Sequence, residues 1–123
     1  MNIALWIIQV LLALTFLTTG GTKLARPRLA LAGQMGWVED FGDAQVKGIG
    51  ALEVLAAIGL VVPPLVHFAV FLTPLAAVGV VLLMAGAAAT HLRRREPQMV
   101  AVNGVLLILA AVVAVGRFGP YPF

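Results

Sequence analysis

Ile49-Gly-Ala-Leu-Glu53-Val-Leu-Ala-Ala-Ile-Gly-Leu-Val-Val62 decides how this chain is read. Thirteen of its fourteen residues are apolar or glycine, and the exception is an acid. A soluble helix of this length would carry a polar face, and this one has none. The natural solvent of such a segment is hydrocarbon. There a carboxylate costs several kcal/mol unless it is neutral, paired or facing water. Glu53 is therefore both the sign of a membrane helix with an inward face and the first functional lead.

The rest of the chain agrees. Of 123 residues, 62% are hydrophobic and 11% charged, against roughly 45–50% and about 25% in soluble domains. A soluble fold of this size has too little interior to hide that much apolar surface. Four apolar runs stand out, at about Ile3–Leu24, Val46–Val62, Val66–Thr90 and Met99–Val115. Each is near the length needed to cross a hydrocarbon core of about 30 Å. In lipid every backbone group must be satisfied within its own segment, so the runs should be helices. The expected fold is an all-α, integral membrane four-helix bundle forming one membrane domain over residues 1–123. Pro63-Pro64 is expected to end the second helix, and Pro74 to give the third a local kink or an irregular turn. The segment at about 25–45 is the one long connection, with Trp37, Phe41 and the acids Glu39, Asp40 and Asp43. It reads as an interfacial anchor or lid.

The net charge is +3, but the cations sit in short turns and form no patch for nucleic acid. Of the eight Lys and Arg, Lys23, Arg26, Arg28, Lys47, Arg93, Arg94 and Arg95 flank the first and third connections, and only Arg117 lies on the other side. By the positive-inside rule both connections are cytoplasmic and both termini outside. There are no cysteines, which excludes thiolate metal sites and dithiol chemistry within the chain. The sequence holds no phosphate-binding glycine loop, no nucleophile–base pair and no paired-histidine spacing. No catalytic or metal-binding residue is therefore assigned.

Entering from the cytoplasm, Glu53 lies roughly 10 Å below the expected end of its helix at 1.5 Å per residue. Thr19 and Lys23 of the first helix, His91 of the third and Asn103 of the fourth come to the same layer. Thr15, Thr19 and Thr22 share one helical face, as do Gly50, Glu53 and Ala57, and Met84, Ala87 and His91. The candidate site is this polar cluster of Glu53, Lys23, His91, Asn103, Thr19 and Gly50. Taken singly, Lys23 reads as a snorkelling, topology-setting residue. His91 reads as an interface residue, and Asn103 as a helix–helix hydrogen-bonding one. Two roles stay open for Glu53: a latch paired with Lys23, His91 or Asn103, or a group that binds a ligand or a proton.

Further motifs run through the chain in order. They are Gly20-Gly21-Thr22-Lys23-Leu24, Gly36-Trp37-Val38-Glu39, Lys47-Gly-Ile-Gly50-Ala-Leu-Glu53, Leu72-Thr73-Pro74, Met84-Ala-Gly86, His91-Leu-Arg-Arg-Arg-Glu96, Asn103 and Gly116-Arg117-Phe118. Together they resemble the DoxX-like family of small bacterial four-helix membrane proteins. The resemblance implies that Lys23, Glu53 and His91 are patterned positions. It also brings in a wider group linked to thiosulfate–quinone oxidoreduction and to membrane-associated thiol or superoxide defence, although the lack of cysteine weakens the thiol link. The leading expectation is a non-catalytic accessory or binding protein of the bilayer. Its pocket around Glu53 would take a lipid-like or quinone-like molecule, or a partner membrane protein, which includes a second copy of the chain. The alternative is a redox accessory subunit joining a partner oxidoreductase to the quinone pool. A proton-coupled exporter fits less well, because the first helix carries no acid.

Overall fold

The computed structural model describes residues 2–25 and 42–119. Four α-helices account for most of them: α1 (Asn2–Ala25), α2 (Asp43–Leu65), α3 (Leu72–Arg93) and α4 (Pro97–Phe118). All four are long and apolar enough to cross a membrane. With no strand among the described residues, the fold is an all-α four-helix bundle. Residues 26–41, which carry most of the expected interfacial connection, lie outside the described residues.

Consecutive helices run up and down. α1 packs most extensively on α2, and α3 on α4, while α2 against α3 and α1 against α4 close the ring. The inward face of α1 is Leu5, Gln9, Leu12, Phe16, Gly20 and Lys23, a spacing of three or four residues that keeps one helical stripe turned to the core. Facing it are Ala56, Ala57 and Leu60 of α2, Ala77, Val80 and Met84 of α3, and Ala110, Val113 and Ala114 of α4. Most of these side chains are small, which brings the backbones together where lipid gives no hydrophobic drive for association. Large side chains such as Leu14, Leu55, Leu82 and Ile108 are instead exposed. In water that surface would aggregate; in a bilayer it meets its own kind.

Three helix ends differ from the sequence expectation. α2 already begins at Asp43, so the end of the long connection is helical. Its first turn is capped by Gln45, whose Oε1 accepts from the Gly42 N–H at 2.8 Å. Pro63-Pro64 does not stop α2, which continues to Leu65. A proline interrupts a helix by removing the N–H that serves the carbonyl four residues earlier. Here the two carbonyls released are those of Gly59 and Leu60, and both are supplied from neighbouring helices. Thr73 Oγ1 donates to Gly59 O at 2.8 Å, and Gln9 Nε2 donates to Leu60 O at 2.7 Å. With its orphan acceptors filled, the helix passes through both prolines. The third difference is that α3 starts at Leu72. Pro74 therefore lies in the first turn, where no intrahelical N–H is needed, and the expected mid-helix kink is not required.

The turns are tight. His67 and Ala69 between α2 and α3, and Arg95 between α3 and α4, take left-handed backbone conformations with φ of 53°, 51° and 57°. Pro97 opens α4 at a position that suits its fixed φ and missing donor.

Candidate functional site

Gly20 and Gly50 set the geometry of the Glu53 layer. A Cβ added to Gly20 would lie 2.7 Å from Gly50 O and 2.9 Å from Glu53 Cβ, and one added to Gly50 would lie 2.8 Å from Lys23 Cβ. Both distances are shorter than real Cβ contacts. The glycines therefore let α1 and α2 cross backbone to backbone. That crossing places the side chains one turn away opposite each other. Lys23 Nζ donates to Glu53 Oε1 at 2.6 Å, and Thr19 Oγ1 donates to Glu53 Oε2 at 2.5 Å. Lys23 and Glu53 are 6% and 4% exposed, so this is a buried ion pair with a donor on each carboxylate oxygen. Such a pair is tolerated in a low-dielectric interior when both charges are matched and hydrogen-bonded.

Lys47 adds a second tie between the same helices. Its Nζ donates to Lys23 O at 2.7 Å and to Leu24 O at 3.1 Å. These are among the last carbonyls of α1, which have no partner within the helix. A cation at that end also matches the negative pole of the helix dipole.

Of the six residues singled out in the sequence, the structure joins Thr19, Lys23, Gly50 and Glu53. His91 is buried but turns to its own hairpin: its Nδ1 lies 2.9 Å from Glu96 Oε1. Asn103 is 5% exposed on the inward face of α4, and its Nδ2 meets no hydrogen-bond partner among the described residues. Thr15 and Thr22 share the face of Thr19 only in part. They bond back to Leu11 O and Thr18 O of their own helix, each at 2.8 Å.

A second polar cluster lies at the opposite end of the bundle. Arg117, 3% exposed, donates through Nε to Gln9 Oε1 at 2.8 Å and through a terminal nitrogen to Asn2 Oδ1. Its guanidinium also lies 5.9 Å from the centre of the Trp6 ring, within cation–π range. Gln9 thereby links α1 to α4 through Arg117 and to α2 through Leu60 O. Sequence reasoning counted Arg117 for topology and passed over Gln9. The available signal was the spacing of Gln9 from Leu5, Leu12 and Phe16, which puts an amide on the buried stripe of α1.

Between α2 and α3 the bundle opens into a groove of about 840 Å³. Gly59 packs against Ala76, where a Cβ would lie 2.9 Å away, and from that contact the two helices diverge. Leu55, Val62, Pro63, Leu75, Gly79 and Leu82 are among the lining residues, all of which are apolar or glycine. The groove runs from the level of Leu52 to the turn after α2. Glu53 is not part of its lining. A smaller recess of about 240 Å³ between α1 and α2 is likewise apolar.

Among curated proteins and among solved structures nothing matches the chain. The sequence model of the DoxX-like family does match, over residues 7–113. That stretch contains parts of all four helices and the whole Thr19–Lys23–Glu53 cluster, and the chain is accordingly a multi-pass membrane protein belonging to the DoxX-like family.

Proposed function

We propose that the protein is a non-catalytic binding protein of the bilayer, and that it holds the hydrocarbon body of a lipid-like or quinone-like molecule in the α2–α3 groove. The observation that carries this reading is the groove itself, with its volume of about 840 Å³ and wholly apolar lining. The α1–α2 seam, tight at Gly20 and Gly50, leaves a recess of only about 240 Å³, and hydrocarbon is the solvent on the wider α2–α3 face. Glu53 does not grip the ligand in this reading. Lys23 and Thr19 already engage both of its oxygens, so the cluster locks α1 to α2 and fixes one wall of the groove. The lining offers no side-chain donor to a quinone carbonyl, because the nearby Thr73 hydroxyl is spent on Gly59 O. This favours recognition of a tail over recognition of a ring. The excess of cations at the first and third connections supports a bacterial inner-membrane protein with both termini outside.

Gly79 provides the test. A Cβ there meets nothing within 4 Å, and the same is true of Gly86, which does not line the groove. Gly79→Phe should fill the groove without a clash, and Gly86→Phe serves as the matched control. After purification in mild detergent, native mass spectrometry and lipid extraction should show bound lipid in the wild type and in Gly86→Phe. Gly79→Phe should lose it with its melting temperature unchanged. Lipid retained at wild-type level in Gly79→Phe would overturn the reading. A quinone in the extract would move the assignment to the redox accessory role, and a partner protein lost only from Gly79→Phe would make the groove a helix-docking site.

A further inference from the structure

The hairpin between α3 and α4 carries more positive charge than it neutralises. His91, Arg93, Arg94 and Arg95 crowd into five positions, and the half of the chain from Leu72 to Gly119 contains one acid, Glu96. The turn is firmly built. Arg94 N donates to Thr90 O at 3.1 Å, Arg95 N to Leu92 O at 3.1 Å and Glu96 N to His91 O at 2.9 Å. Glu96 is committed to the same turn: its Oε1 meets His91 Nδ1 at 2.9 Å and accepts from Arg94 Nε at 3.2 Å. Arg93 and Arg95 are both exposed, and neither side chain has an ion pair or hydrogen bond among the described residues. Two unneutralised guanidiniums therefore stand at the end of a membrane-spanning helix, beside the positive N-terminal pole of α4.

We propose that the α3–α4 hairpin is a docking site for an anionic phospholipid, whose phosphate is held by Arg93 and Arg95. Charge complementarity selects the occupant. The last residue of a membrane-spanning helix lies at headgroup depth, where phosphate is the abundant anion. The planar guanidinium fork matches phosphate oxygens two at a time. The hydrogen-bonded turn presents both arginines at one end of α3, and the nearest carboxylate, Glu96, is already engaged by His91 and Arg94. This site is independent of the α2–α3 groove, which ends at Leu83 on α3, well short of Arg93.

The test uses the whole protein in a nonionic detergent. It is titrated separately with short-chain phosphatidylglycerol, phosphatidylcholine of the same chain length and inorganic phosphate, and bound lipid and melting temperature are read. Phosphatidylglycerol should bind and raise the melting temperature, while phosphatidylcholine, whose phosphate is balanced by choline, should not. The Arg93→Gln/Arg95→Gln double variant should retain phosphatidylglycerol roughly 25-fold less well, from about fivefold per arginine at an anionic surface. Salt at about 0.5 M should weaken wild-type binding. Both arginines are exposed, so the variant should fold as the wild type does, with an unchanged melting temperature in detergent alone. The proposal is overturned if the two lipids bind equally, if the double variant binds as well as the wild type, or if inorganic phosphate alone reproduces the stabilisation.

Discussion

The α1–α2 seam and the α2–α3 seam use one helix in common and end up opposite in character. Along α1–α2, Gly20 and Gly50 bring backbones into contact. Two polar ties then close the seam, Glu53 with Lys23 and Thr19, and Lys47 with the end of α1. Along α2–α3 there is one close approach, Gly59 on Ala76, and one hydrogen bond, Thr73 to Gly59 O. Beyond them the helices part into the groove. Both seams are apolar and glycine-containing. What separates them is registry: α1 sets Gly20 opposite Gly50 of α2, with the charged pair one turn away, whereas Gly79 of α3 faces open space. Small residues close a seam only when the facing backbone arrives at the same level, and a misaligned glycine opens a groove instead.

The largest expected effect comes from breaking the ion pair on one side. Glu53→Ala takes the carboxylate away from the buried Lys23, and should cost about 3 kcal/mol. Lys23→Met should also destabilise, because it removes one of the two donors to the Glu53 carboxylate. The double variant Lys23→Met/Glu53→Leu should recover most of the loss if the pair is a latch. Reversible unfolding in mixed micelles gives all three values. A double variant as unstable as Glu53→Ala would show that the pair does more than hold helices. Next in size is Gly20→Ala, which drives a methyl into Gly50 O and should cost about 1–3 kcal/mol. At the adjacent Gly21, where a Cβ meets nothing within 4 Å, the same change should gain up to about 1 kcal/mol from helix propensity. Equal effects at Gly20 and Gly21 would remove registry as the explanation of the closed seam.

Much of this was legible in the sequence, for reasons that also mark where legibility stopped. Helix number and membrane character follow from hydropathy, which every residue of a span reports. Depth along a helix follows from the fixed rise, so Lys23 and Glu53 could be assigned to one layer. Depth does not choose among partners at that layer. His91 lies near the same level but is five residues from Glu96, and the turn delivers that carboxylate to it first. The prolines misled for a related reason. Pro63 and Pro64 stop a helix only if the carbonyls they orphan stay unpaired, and the donors that pair them, Thr73 and Gln9, come from other helices. Arg117 was visible as a charge, but its use as the centre of a buried network depends on α1 and α4 lying side by side.

The proline repair makes a smaller and more specific test of the open seam. Thr73→Val deletes the donor to Gly59 O and should cost about 0.6–1.7 kcal/mol, the range of hydrogen bonds between membrane helices. The loss should depend on Pro63. In a Pro63→Ala background residue 63 has its own N–H for Gly59 O, so Thr73→Val should become nearly neutral, with a coupling of about 0.5 kcal/mol or more in the double-mutant cycle. Additive losses would mean that Thr73 stabilises the seam by packing, and that the hydrogen bond across it is incidental.

The smallest effect belongs to the α3–α4 hairpin, where the ion pairs are partly exposed. Glu96 has its pKa held below the ordinary 4.5, first by the hydrogen bond from His91 and then by the charge of Arg94, against an opposing desolvation effect. A carboxylate with a depressed folded-state pKa contributes stability above its unfolded value, and that contribution disappears as pH falls through the folded value. Wild type should therefore be more stable than Glu96→Gln at neutral pH, and the gap should narrow below about pH 4.5 and close in more acidic solution. Melting temperatures of the two proteins across that range measure the gap directly. High salt should shrink it at neutral pH as well, because solvent-exposed charges are screened. The Lys23–Glu53 contribution, being buried, should hardly respond to salt. A salt-insensitive gap at Glu96, or a salt-sensitive latch at Glu53, would reverse the assignment of which of the two ion pairs is closed to water.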